Sequence, residues 1–125
     1  MPVHYSQRLF PITLWTAQTL TPEGTSPSPI ISCLSRVPDI LMFRVTAASG
    51  AASVKIEYAI SNDGVNFNDY TTQTAISPAT ATDFTTNPEE YHMLNCPTAP
   101  FLRLRITELA GLTSIVDATL WMREL

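Results

Sequence analysis

Apolar positions along this chain recur at every second residue, in short runs separated by turn-forming residues. The clearest run is Val54 to Ser61, where Val54, Ile56, Tyr58 and Ile60 alternate with Lys55, Glu57, Ala59 and Ser61. Successive side chains of a strand point to opposite faces, so the first four predict a core face and the second four an outward one. No long segment repeats apolar residues at i, i+3, i+4 and i+7, which argues against a substantial amphipathic helix. Further runs span Leu9 to Thr19, Ile30 to Ser35, Ile40 to Ala48, Phe67 to Ala75, Tyr91 to Asn95, Phe101 to Leu109 and Ser114 to Arg123. Between them Thr21 to Pro29 (TPEGTSPSP) reads as a loop, Val37-Pro38-Asp39 and Cys96-Pro97 as strand ends, and Ser49-Gly50 and Ala110-Gly111-Leu112 as turns. The Thr-rich stretch Ile76 to Pro88 has room for one short strand.

About eight short strands with regular turns predict an all-β fold, an antiparallel β-sandwich of jelly-roll or immunoglobulin-like type, with a closed barrel as the alternative. At 125 residues and without an internal repeat, residues 1–125 read as a single domain with a short N-terminal extension over about 1–8.

Parity also assigns the outward faces. Leu102, Leu104 and Ile106 face the core while Phe101, Arg103, Arg105 and Thr107 look away. Val116, Ala118, Leu120 and Met122 are core, and behind them stand Ile115, Asp117, Thr119, Trp121 and Arg123. Ile40 and Met42 lie with Arg44 on the back of Leu41, Phe43 and Val45. The first run is two-sided, with Phe10, Ile12 and Leu14 on one parity and Leu9, Pro11 and Trp15 on the other. Large apolar residues on sheet backs mark contact surfaces, and Trp, Met and Arg are enriched at interface cores. The interface candidates are therefore Trp121, Ile115, Ile40, Met42 and Trp15, with Arg103 and Arg105 supplying directional hydrogen bonds. The alternative is that a bulge shifts the parity and Trp121 belongs to the core.

Composition narrows the function classes. Charged residues make up 14% of the chain, against roughly 25% in typical soluble domains. Such a surface suits sheet faces covered by neighbours, and it suits an extracellular binding module as well. Net charge is −4 and the basic residues are scattered, so no patch to neutralise phosphates is legible and no nucleic-acid partner is expected. The opening MPVHYSQRLFPITLW lacks the pattern of a signal peptide, and no apolar run approaches the roughly 18 residues of a membrane span. The expectation is a protein made in the cytoplasm, soluble and without a membrane partner.

Candidate chemistry is sparse. His4 and His92 stand alone, no HExxH or glycine-rich phosphate loop occurs, and Glu89-Glu90 reads as a solvated pair where a strand begins. The chain is expected to be no enzyme and to carry no cofactor. Cys33 and Cys96 sit in apolar runs without metal spacing. They read first as small buried hydrophobes, with a disulfide or a reactive thiol as alternatives. The loop Asn62 to Asp69 offers carboxylates and amide oxygens, which makes Asp63 and Asp69 weak candidates for calcium. Its spacing departs from the EF-hand pattern, and Asn-Asp-Gly is also what a positive-φ turn requires, so the metal expectation is none.

The stretch from Val54 to Phe67, a strand followed by S-N-D-G-x-x-F, resembles a hairpin of β-sandwich modules. It occurs in carbohydrate-binding and discoidin-like domains and in small virion proteins of tailed bacteriophages. FLRLRIT at Phe101 to Thr107 looks like the strand that follows in such domains, and LWTAQTLTPEGTS and SIVDATLWMREL are similar to the ends of small phage-encoded sandwiches. The virion resemblance implies a structural protein of a phage-like particle, a capsid decoration or head or tail accessory subunit. It would assemble in the host cytoplasm and act as a homo-oligomer through packing against copies of itself or other virion proteins. The sugar-binding resemblance implies a carbohydrate-binding or adhesive module, with Trp15, Trp121, Phe67 and Tyr70 as stacking candidates. A cytoplasmic accessory subunit outside any particle is a third reading.

Overall fold

The computed structural model describes residues 8–47, 53–72, 82–83, 89–93 and 99–124, and within 71–93 it describes the backbone alone. His4 and Cys96, the Ser49-Gly50 turn and most of the proposed N-terminal extension lie outside these residues. The described chain forms ten strand segments: β1 (Leu9–Leu20), β2 (Thr25–Pro27), β3 (Ile31–Ser32), β4 (Arg36–Ala47), β5 (Ser53–Ser61), β6 (Thr71–Thr72), β7 (Thr82–Asp83), β8 (Glu89–Met93), β9 (Phe101–Glu108) and β10 (Ser114–Glu124). Among the described residues no helix is long and apolar enough to cross a membrane.

Two sheets build a β-sandwich, one in the order β1-β10-β4-β8 and the other in the order β2-β9-β5-β6, with β3 also on β9 and β7 also on β5. All the pairings are antiparallel. Because β2 and β3 share one partner, as do β6 and β7, the ten segments occupy eight strand positions. Four nested pairs, β1·β10, β2/β3·β9, β4·β8 and β5·β6/β7, are those of one long hairpin folded on itself. The pairs β10·β4 and β9·β5 close the roll. This is the jelly-roll form of the expected sandwich.

Each departure from the expected strands has a local cause. The stretch read as a loop holds β2, whose Pro27 sits at a sheet edge, where its missing N–H disrupts no ladder. Val37-Pro38-Asp39 does not end a strand. β4 runs through it, with a register shift that pairs Pro38 with Met122 and Ile40 with Trp121, leaving Asp39 as the extra residue. Pro38 is tolerated because it falls at this bulge, one of the places in a sheet where a proline fits.

β1 carries two shifts, one between Thr13 and Trp15 and one between Trp15 and Gln18. The first turns both Leu14 and Trp15 inward, and the second restores the original parity so that Leu20 is buried. Trp15, expected at a contact surface, is therefore a core residue at 4% exposure. Its ring stacks near Phe43 with centroids 6.4 Å apart, and its Nε1 donates to Ser26 Oγ at 3.2 Å.

The remaining core follows parity. Leu41, Phe43 and Val45 of β4, Leu102, Leu104 and Ile106 of β9, and Val116, Ala118, Leu120 and Met122 of β10 are buried between the sheets with Val54 and Ile56. Tyr58, Ile60, Phe10 and Ile12 pack against them. Each fully buried large side chain contributes about 1.5–3 kcal/mol relative to its exposed state. Cys33 also packs against this core, as a half-buried free thiol whose burial pushes its pKa up.

One buried acid ties two turns together. Glu108, at the end of β9, is 0% exposed, and its carboxylate accepts the N–H groups of Glu23 (2.8 Å), Ala110 (2.7 Å) and Gly111 (3.0 Å). Glu23 and Gly111 both have positive φ, 59° and 72°, so the carboxylate holds the β1–β2 and β9–β10 turns in conformations that few alternatives would satisfy. Burial raises the pKa of Glu108, and the N–H donors of Glu23, Leu112, Ala110 and Gly111 lower it by more, leaving it below the ordinary 4.5. A depressed folded-state pKa gives stability that is present above the unfolded value and lost as pH falls through the folded one. Glu108→Gln should therefore lower the unfolding free energy by about 2–3 kcal/mol at neutral pH. It should also flatten the loss of stability below about pH 4.5, read from urea unfolding across pH. An acid limb identical to that of the parent chain would contradict this role.

Candidate contact surface

The outer face of the four-stranded sheet gathers most of the apolar residues expected at an interface. β10 alternates without interruption from Ser114 to Met122, so Ile115, Asp117, Thr119, Trp121 and Arg123 all point away from the core. The shift opposite Trp121 is absorbed by β4, and the parity of β10 is unbroken. Trp121 stands between Pro11 on β1 and Ile40 on β4, and Thr119 between Thr13 and Met42. Directly opposed residues lie about 4.5–5.5 Å apart, so Trp121, Ile40 and Met42 share one patch, and each is half-buried. Leu9, 46% exposed and opposite Arg123, extends the patch with Pro11.

Ile115 shares this face and is 44% exposed. It lies six residues from Trp121, about 20 Å along the strand, beyond Asp117 and Thr119. It forms a second, separate apolar point beside Thr19 and Thr46.

Arg103 and Arg105 belong elsewhere. They project from the back of the other sheet and bond within the chain. Arg103 Nε donates to the Ser28 carbonyl at 2.9 Å. Arg105 Nε and Nη2 both donate to Glu57 Oε1, at 3.1 and 2.8 Å, and its guanidinium lies 4.2 Å from the centre of the Tyr70 ring. The back of β5, expected to be outward, is closed: Glu57 is 4% exposed, Ala59 0% and Ser61 5%. The cause is the segment after β5, which folds back. Asn68 N–H donates to the Ile60 carbonyl, and Asn68 Oδ1 accepts from Ile60 N–H.

The Asn62–Asp69 loop is organised by one of its own carboxylates. Asp63 Oδ1 accepts from Ser61 Oγ, Val65 N–H and Asn66 N–H at 2.8–2.9 Å, and Oδ2 accepts from Asn66 Nδ2 at 2.9 Å. The backbone donors Asn66 and Val65, then the side chains of Asn66 and Ser61, hold its pKa far below the ordinary carboxylate range. Gly64 has φ 76°, and an added Cβ would meet the Phe101 ring at 3.3 Å, so this position requires glycine. Asp69 contributes no bond to this arrangement, and no cluster of three His, Cys, Asp or Glu that could hold a metal occurs among the described residues.

A hollow of about 380 Å³ opens on the outer face beside the Trp121 patch. Its walls include Thr13, Thr16, Met42, Arg44, Asp117 and Thr119, with Trp15 and Ala118 beneath. The β1 bulges make it. Ala17, with φ 45°, sits in the left-handed region, and its N–H donates to Asp117 Oδ1 at 2.8 Å. A non-glycine residue there costs about 1–2 kcal/mol, which the bond to Asp117 helps to offset. Paired apolar points leave a parity signal in the sequence. The hollow leaves none, because it depends on a bulge.

Neither a protein-family model nor a curated protein matches the chain. Among solved structures it is similar to the SPBc2 prophage-derived protein YomS, with a TM-score of 0.52 and 11% identity, covering 97% of this chain and 99% of that one. At that identity the likeness is one of fold.

The intramolecular role of Arg105 is testable. Arg105→Met leaves Glu57 buried with only Lys55 at 3.8 Å and Thr107 at 3.4 Å, so stability should fall by about 2 kcal/mol. Glu57→Leu combined with Arg105→Met should recover most of that loss in denaturant unfolding. A single variant as stable as the parent chain would contradict the pairing.

Proposed function

We propose that this chain is a structural, non-enzymatic subunit of a phage-like particle, a capsid decoration or a head or tail accessory protein. It acts by packing the outer face of the β1-β10-β4-β8 sheet against copies of itself or other particle proteins. The observation that carries the reading is the patch of Trp121, Ile40, Met42, Pro11 and Leu9, assembled by register from three strands of one sheet. Trp is among the residue types that supply most of the binding energy at interfaces, and Met is enriched there.

Two further points support it. Jelly rolls are a common architecture of viral shell proteins, although fold alone does not fix function. The solved structure it resembles is prophage-derived. The two edges at β1 and β2/β3 carry Pro11, Pro27 and two bulges, devices that blunt strand-to-strand pairing. Association through a face rather than an edge is the mode this leaves favoured.

Trp121→Asp should give a folded chain with stability within about 1 kcal/mol of the parent. Static light scattering should show it as a monomer at concentrations where the parent chain associates. Unchanged association of the variant would sink the proposal.

A further inference from the structure

We propose that Asp63-Gly64 is a modification site of this chain, the place where isoaspartate forms, and that the folded loop after β5 keeps it unreactive until that loop opens. The chain holds one Asp-Gly pair and no Asn-Gly pair. In such a pair the backbone nitrogen of the glycine attacks the side-chain carbonyl carbon of the aspartate, since glycine has no Cβ to crowd the approach. A C–N bond forms, a C–O bond of the protonated carboxyl breaks, and one water leaves, giving a five-membered imide. Water then reopens the ring. Opening at the side-chain carbonyl restores aspartate, whereas opening at the main-chain carbonyl reroutes the backbone through the side chain as isoaspartate. Water is the only co-reactant.

The fold cannot discard the pair. Gly64 has positive φ and lies against the Phe101 ring, and the Asp63 carboxylate organises the turn. Both reacting groups are instead engaged. The Gly64 N–H donates to Ser61 Oγ at 3.0 Å, which holds its proton in place. The Asp63 carboxylate accepts from Ser61 Oγ, Val65 N–H, Asn66 N–H and Asn66 Nδ2. These donors favour its ionised form, whereas loss of water requires the protonated one. Ser61 links the two groups. It is buried at the end of β5, and its hydroxyl accepts from the Asp63 and Gly64 N–H groups while donating to Asp63 Oδ1. Beyond the loop, Asn68 bonds Ile60 through both its N–H and its Oδ1. Nitrogen and carboxyl are therefore released to react only when this end of β5 lets go of the loop.

The loop follows β5, in the other sheet from the Trp121 patch, so the inference does not rest on the packing proposed above. The test is prolonged incubation of the full chain at neutral pH, native and urea-unfolded, followed by peptide mapping. The isoaspartyl peptide has the mass of its parent and separates from it by chromatography. Isoaspartate at position 63 should form at least about tenfold more slowly in the native chain than in urea, because reaction waits for local opening. Ser61→Ala, shown to be folded by its unfolding transition, should form it about threefold to tenfold faster than the native parent. If Ser61→Ala does not fold, Asn68→Ala takes its place and should also be faster than the parent. The proposal is overturned if the native parent reacts as fast as the unfolded chain, or if the folded variant is as slow as the parent. It also falls if the unfolded chain forms isoaspartate elsewhere and none at position 63.

Discussion

The register of β10 between β1 and β4 is the constraint on which the rest of the molecule depends. Nine positions, from Ser114 to Met122, alternate between the core and the outer face without a break. A slip of one residue would exchange Val116, Ala118, Leu120 and Met122 for Asp117, Thr119, Trp121 and Arg123. Burying an aspartate and an arginine without partners would cost far more than the apolar residues could return. The neighbouring strands accommodate this demand. β1 bulges twice and β4 once, so every irregularity of the sheet falls on the strands flanking β10.

The two outer faces of the sandwich meet different fates because of their charges. On the six-stranded side, Glu57 is buried, held by Arg105 and Thr107, with Lys55 nearby and Tyr70 beneath the guanidinium. That face is already occupied by the chain's own polar groups. On the four-stranded side the register lines up Pro11, Trp121 and Ile40, with Thr13, Thr119 and Met42 in the next row, and leaves them half-covered or open. A patch of this composition, on a chain with few charges, is where association is least costly in desolvation.

The fold was largely legible in the sequence because alternation is a local signal. Val54 to Ile60, Leu102 to Ile106 and Val116 to Met122 take the faces their spacing predicts, and Trp121, Ile115, Ile40 and Met42 lie on the outward face of β10 and β4, with Ile115 apart from the other three. What was not legible depends on partners far along the chain. Trp15 could not be placed inside without the bulge at Leu14, and a bulge has no composition of its own. Arg105 looked available for a partner because Glu57 is 48 residues away. No local pattern marks Glu108 as a buried acid, because one of its donors, the Glu23 N–H, is 85 residues away. The hollow, formed by a bulge and a strained alanine, was illegible for the same reason.

The central claim is that Trp121 looks out from the sandwich and is covered by association, whereas Trp15 is always inside. The chain has only these two tryptophans, so acrylamide quenching of their fluorescence, in dilute and in associated protein, tests the claim directly. The account predicts one quenchable and one protected tryptophan when dilute, the quenchable one being lost in Trp121→Phe, and protection of both once the protein associates. Two protected tryptophans in the dilute chain, or a Trp121 as quenchable in the associated state as in the dilute one, would contradict it.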